Sequence, residues 1–175
     1  MKRLRLVYGG SGSGKSDLAE GLLDTCLDKI YLATMPFAGE NIGRIDRHRR
    51  RRAGKGFWTI ERTKDISGLP LADNAVVLLE DLPNLLANTM FLPDGTVDYH
   101  ADDKVREDLL YLIDRCMELV IVSDDIFSSG ISYDRLTERY MSMLGSLHGF
   151  LANKGEMIEV VAGIGIYHSS LNRLE

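Results

Sequence analysis

The chain has 175 residues, 45% hydrophobic and 27% charged, with a formal net charge of −5. That is about one domain's length, with apolar side chain enough for a substantial core, and the acidic balance argues against general nucleic-acid binding. Cys26 and Cys116, the only cysteines, make neither a disulfide framework nor a zinc spacing and read as buried thiols of a reducing, cytoplasmic compartment.

Lys2, Arg3 and Arg5 precede an apolar run too short for a signal peptide, and no segment is long enough to span a membrane. Leu4 to Tyr8 reads as a buried first strand. The stretch from Gly9 to Ser16 follows it and fits G-x-x-x-x-G-K-[ST]. Gly9, Gly10, Ser11, Gly12, Ser13 and Gly14 form a loop whose curled backbone can turn successive N–H groups toward phosphate oxygens. Lys15 can reach the outer phosphates, the Ser16 hydroxyl can ligate Mg2+, and the following helix adds the positive end of its dipole. That helix is expected over 15–27, with Leu18, Ala19, Leu22, Leu23, Cys26 and Leu27 on one face.

A second strand is expected over 29–34, stopped by Met35-Pro36. A helix follows over 40–52, then a short strand over 57–61. Ala75 to Leu79 is a continuous apolar run, as a strand buried on both faces reads, and it ends in Glu80-Asp81. Either carboxylate could hold Mg2+ beside Ser16, and the position alone does not choose between them. Helices are expected over 82–91 and 103–119, the latter placing Val105, Leu109, Leu112, Ile113 and Cys116 on one face. Pro93-Asp94-Gly95 reads as a turn. A buried strand over 119–123 ends at Asp124-Asp125. A loop over 126–133 leads to a long helix over 134–153 capped by Asp134. A strand over 157–162 comes last, with a further edge strand over 163–167.

Strands alternating with helices predict an α/β fold of three layers, with a mostly parallel sheet covered on both faces, in a single domain over 1–175. Ligands in such sheets bind beyond the carboxyl ends of the strands. The phosphate loop, Thr34, Glu80-Asp81 and Asp124-Asp125 all fall there.

The segment Arg44 to Arg52 is strongly basic. As a helix it would put Arg44, His48, Arg51 and Arg52 on one face. One reading is a solvated basic face or a nucleic-acid patch. The other is a nucleophilic histidine in an arginine cradle, where crowded cations keep the imidazole neutral and arginines stabilise a departing pyrophosphate. His100 reads as a surface residue, His148 as packing, and His168 lies near the terminus.

The chain resembles the adenosylcobinamide kinase / adenosylcobinamide-phosphate guanylyltransferase family of cobalamin biosynthesis. The likeness runs through the loop from Gly9 to Ser16 and Tyr31-Leu32-Ala33-Thr34. It continues through Arg44, Ile45, His48 and Arg49, Trp58 to Glu61, Leu78 to Glu80 with Asn88, and Val161 to Ile164. The resemblance implies a P-loop NTPase fold of the RecA-like kind and a homotrimer. It implies phosphorylation of adenosylcobinamide by a nucleoside triphosphate, with ATP and GTP as substrates. It also implies transfer of GMP from GTP through a guanylylated histidine, which by carry-over is His48. Thr34, Met35, Arg49, Arg50, Arg51, Arg52, Glu61 and Glu80 become nucleotide contacts. The chain departs from the family pattern at Gly12 (Arg), Asp124-Asp125 (Asn-Glu), Ser132-Tyr133 (Val-Pro) and His148-Gly149 (Asn-Gln). Two rival readings are a different small P-loop kinase and a nucleotide-dependent RNA-binding protein.

Overall fold

A computed structural model describes residues 2–23, 26, 28–36, 54–128 and 130–168. The expected helix over 40–52, with His48 and Arg49 to Arg52, lies outside the described residues.

A seven-stranded sheet forms the middle layer. Its strands are β1 (Arg3–Gly9), β2 (Lys29–Ala33), β3 (Phe57–Glu61), β4 (Ala75–Glu80), β5 (Cys116–Asp124), β6 (Glu156–Val161) and β7 (Ile164–His168). They run in the order β3-β2-β4-β5-β1-β6-β7. Every pairing is parallel except the terminal β6–β7 hairpin. One strand, β5, stands between β1, which feeds the phosphate loop, and β4, which ends in Glu80. This is an α/β fold with a mostly parallel sheet between helical layers, as expected.

Successive side chains of each strand alternate between the two faces. Leu4 and Leu6 of β1, Leu32 of β2, Val77 and Leu79 of β4 and Ile121 of β5 face one way. Helices α2 (Leu82–Met90), α3 (Ala101–Arg115) and α4 (Arg135–Ala152) cover that face through Leu85, Leu86, Leu109, Leu112, Leu144 and Leu147. Val7, Tyr31, Val76, Leu78, Val120 and Val122 face the other way. There α1 (Lys15–Gly21) lays Ala19 on them, with Leu23 beyond its end. Buried on both sides, the central strands carry apolar residues at nearly every position, so their sequences show no alternation.

The boundary between α3 and β5 differs from the expectation. The helix ends at Arg115, and Cys116 to Leu119 belong to the strand. Cross-strand pairing wins there: Cys116 sits opposite Ala75, Glu118 opposite Arg3, and Leu119 opposite Leu4 and Val77. Between Ala75 and Val76 the register slips by one residue, which leaves Met117 as a bulge. The bulge lets Cys116 and Leu119, an odd number of positions apart, face the same layer. It also reproduces a helical spacing of apolar residues inside a strand. The 3-10 turn Ile66–Gly68 had no clear signal in the sequence.

Candidate active site

Parallel strands bring their carboxyl ends to one sheet edge. Gly9 lies opposite Asp124, and Ala33 lies between Glu61 and Glu80. The loop from Gly10 to Gly14 closes on itself through the Ser13 N–H, which donates to the Gly10 carbonyl at 3.2 Å. Gly14 has φ +92°, and a Cβ there would stand 3.2 Å from the Gly163 Cα. A Cβ on Gly9 would stand 2.4 Å from the Val160 carbonyl oxygen. Both positions therefore need glycine for close backbone approach. The turn between β6 and β7 braces the loop, because the Gly163 N–H donates to the Ser13 carbonyl at 2.7 Å. The Val161 to Ile164 stretch was legible as a motif, but its contact with the phosphate loop is a tertiary fact.

Lys15 is buried at the start of α1. Its ammonium donates to the Gly10 carbonyl at 3.2 Å and pairs with Asp124 Oδ1 at 2.7 Å. Asp124 was visible as a strand-end acid, but the sequence assigned it no task. The Ser16 hydroxyl donates to Glu80 Oε1 at 2.7 Å. The neighbouring Asp81 is committed elsewhere. It caps α2, and its Oδ1 accepts from the Asn84 N–H and the Asn84 side-chain amide, each at 2.7 Å. Of the two carboxylates that the sequence left open, Glu80 is the one beside Ser16. The peptide between them is cis. Burial pushes the Asp81 carboxyl up to about 6, against its bonds from Asn84, and the charges of Asp124 and Glu80 add to the rise.

Thr34 is fully buried where β2 ends. Its hydroxyl donates to the Asp81 carbonyl and accepts from the Asp81 N–H, both at 2.7 Å. Asn88 of α2 donates to the carbonyls of Thr34 and Thr63 at 2.8 and 3.2 Å. Thr34 and Asn88 thus tie the ends of β2, β3 and β4 together. Met35 follows Thr34, half-buried, and Glu61 closes β3 with its side chain exposed. These bring Thr34, Met35, Glu61 and Glu80 to the same edge as the loop.

His148 is buried behind the loop. Its Nε2 lies 2.7 Å from Ser123 Oγ, and its ring meets those of Tyr8 and Phe127 edge-on. Burial pulls its pKa down to about 4 although Asp125 and Asp124 oppose the shift. It is a packing residue, as expected. His100 is exposed before α3, and His168 sits 3.2 Å from Glu159.

Among the described residues, no group of three or more His, Cys, Asp and Glu side chains converges as a metal site, and no helix is long and apolar enough to cross a membrane. Cys26 and Cys116 are both free thiols; Cys116 is buried as expected, whereas Cys26 is only partly buried.

Comparison with known proteins bears on this geometry. A bifunctional adenosylcobalamin biosynthesis protein CobU from Escherichia coli is 30% identical over 92% of this chain and 97% of its own length. The protein of the same description from Salmonella typhimurium is 28% identical with the same coverage. The bifunctional adenosylcobalamin biosynthesis protein CobP from Pseudomonas aeruginosa is 31% identical over 91% of this chain and 93% of its own length. A solved structure of the P4 protein from bacteriophage phi6 in complex with ADP aligns with 94% of this chain and 54% of that one, at 12% identity and a TM-score of 0.45. That overlap is too partial to carry an argument. The sequence model described as cobinamide kinase / cobinamide phosphate guanyltransferase matches residues 5–167, nearly the whole described fold, and the chain belongs to that family.

Proposed function

We propose that this chain carries out both reactions for which its family is named. In the first, the aminopropanol hydroxyl of adenosylcobinamide attacks the γ-phosphorus of ATP or GTP. An O–P bond forms, the bond to the β-phosphate oxygen breaks, and the nucleoside diphosphate leaves. In the second, a nitrogen of His48 attacks the α-phosphorus of GTP, a P–N bond forms and pyrophosphate departs. The phosphate of adenosylcobinamide phosphate then attacks the same phosphorus, releasing His48 and giving adenosylcobinamide-GDP.

The observation that carries this reading is the convergence of Lys15, Ser16 and Glu80 at one sheet edge in a chain of this family. Lys15 neutralises charge on the transferring phosphoryl group, and the loop N–H groups orient it. Ser16 and Glu80 present two hard oxygen ligands close together, a set that would suit Mg2+. Mg2+ held there would supply positive charge toward the triphosphate. Arg49, Arg50, Arg51 and Arg52, close to His48 in sequence, supply cations for the triphosphate and the leaving pyrophosphate. Thr34, Met35 and Glu61 belong to the nucleotide-contacting rim. We place the protein in the cytoplasm, as a homotrimer.

The deciding experiment uses α-labelled GTP and Mg2+. The wild-type chain should acquire a label that acid removes and base does not, as a phosphoramidate requires. His48→Asn should abolish that label and GMP transfer while γ-phosphate transfer to cobinamide persists. A labelled His48→Asn protein moves the nucleophile elsewhere.

A further inference from the structure

The Lys15 ammonium is gripped from the strand beside the loop as well as from within it. Gly10 supplies a carbonyl at 3.2 Å and Asp124 a carboxylate oxygen at 2.7 Å. Asp124 has little freedom to be elsewhere. It is the last residue of β5 and pairs with Gly9, and the next N–H, that of Asp125, donates to the Gly9 carbonyl at 3.0 Å. The backbone that carries the carboxylate is therefore fixed to the root of the phosphate loop. The lysine side chain is only 10% exposed, so water weakens the pair little, whereas the Asp124 side chain is 32% exposed and faces the open sheet edge. The electrostatic reach of Asp124 across this edge is also felt at Asp81.

We propose that Asp124 is a positioning residue that holds the Lys15 ammonium at the loop mouth and competes with triphosphate for it. The inference rests on the reading of the loop as a triphosphate site. An ammonium has three N–H donors. Two are directed at Gly10 and Asp124, and a phosphate oxygen must take the third or displace the carboxylate. Asp124 keeps the long lysine chain aimed across the loop, and its charge offsets part of the attraction between Lys15 and a polyanion. The loop consequently grips triphosphate less tightly than an unopposed lysine would, and gives up the nucleoside diphosphate more readily.

The test is equilibrium binding of a fluorescent GTP analogue, with Mg2+, to the full chain. Asp124→Asn leaves an oxygen that can accept from Lys15 but removes the charge. It should lower Kd about tenfold, the scale of one charge-assisted hydrogen bond. Asp124→Ala should shift Kd the same way, and thermal melts verify that each variant is folded. In steady state Asp124→Asn should lower KM without raising kcat, because product leaves more slowly. A purely structural role for Asp124 predicts the reverse, a weaker Kd. The same substitution in a Lys15→Met background separates mechanisms: if Asp124 acts through the lysine, the gain shrinks to less than about twofold. An unchanged or weakened Kd in the single variants overturns the proposal, as does an undiminished gain in the Lys15→Met background, which would show plain repulsion of phosphate. If the wild-type chain binds no triphosphate at all, the reading of the loop fails and the inference with it, an outcome distinct from binding that ignores Asp124.

Discussion

At the scale of single residues, Glu80 and His148 take different parts near the carboxyl ends of the strands. The Glu80 carboxylate stays beside a hydroxyl that can share a cation with it. Glu80→Gln keeps the shape and removes the charge, so the Mg2+ concentration for half-maximal activity should rise several-fold, roughly the cost of one ionic ligand. A superimposable Mg2+ titration would remove Glu80 from that task. His148 is buried and neutral, with its pKa pulled down to about 4 by desolvation. Between about 6.5 and 4 the unfolded chain binds a proton that the folded chain does not, so stability falls as pH falls across that window. Asp81 works against this trend. Its carboxyl, pushed up to about 6, holds a proton in the folded chain that the unfolded chain has already released. Its contribution therefore falls as pH rises. Comparing His148→Asn with wild type cancels the Asp81 term. Denaturant melts at pH 7 and 4.5 should show the variant losing less stability on acidification, by about 2 kcal/mol. Equal losses in the two proteins would locate the acid sensitivity elsewhere.

The elements themselves were largely legible, because their signals are local. The phosphate loop announces itself by spacing, α4 by its Asp134 cap, whose Oδ1 accepts from the Leu136 and Thr137 N–H groups, and β3 by a short run between glycines and a charged turn. The α3–β5 boundary was less legible. A bulge at Met117 gives Cys116 and Leu119 a shared face, and helical periodicity imitates that arrangement. The brace between the phosphate loop and the β6–β7 turn had no local signal, since neither glycine shows in sequence what it will touch. Gly9 tests the tightness of this region. A methyl group there would meet the Val160 carbonyl 2.4 Å away and Ser13 Oγ 2.8 Å away. Gly9→Ala should force β1 and β6 apart locally, cost about 1–3 kcal/mol and weaken triphosphate binding in parallel. Unaltered melting and binding would mean that β6 yields freely at that point.

For the whole molecule, the order of the strands did the most to assemble the site. Apolar runs predicted a parallel sheet, and parallel strands must deliver their carboxyl ends to one edge. That is why Thr34, Glu80 and Asp124 could be grouped before any contact was known. Which of them touch was not legible, because Lys15–Asp124 and Ser16–Glu80 depend on side-chain reach across the edge. The outer surface also carries information. Ile164, Ile166 and Tyr167 of the edge strand β7 are exposed by 69%, 46% and 63%, with Val161 beside them at 50%. An apolar edge strand of that kind invites a covering partner. The homotrimer proposed above predicts that light scattering at micromolar concentration gives three times the 19.6 kDa chain mass. Ile164→Lys with Ile166→Lys should lower the mass if β7 lies in the contact. A wild-type mass of one chain would refute the trimer.

The Gly163 amide has a consequence beyond bracing. Its proton goes to a carbonyl of the phosphate loop instead of to a neighbouring strand. That hydrogen bond must break before the proton exchanges, so its exchange with deuterium reports separations of loop and hairpin. One resonance in an isotope-labelled sample thus clocks the opening of the loop, with no substrate turned over. Nucleotides that stiffen the loop should lengthen that clock's period, and those that merely collide with the surface should leave it unchanged.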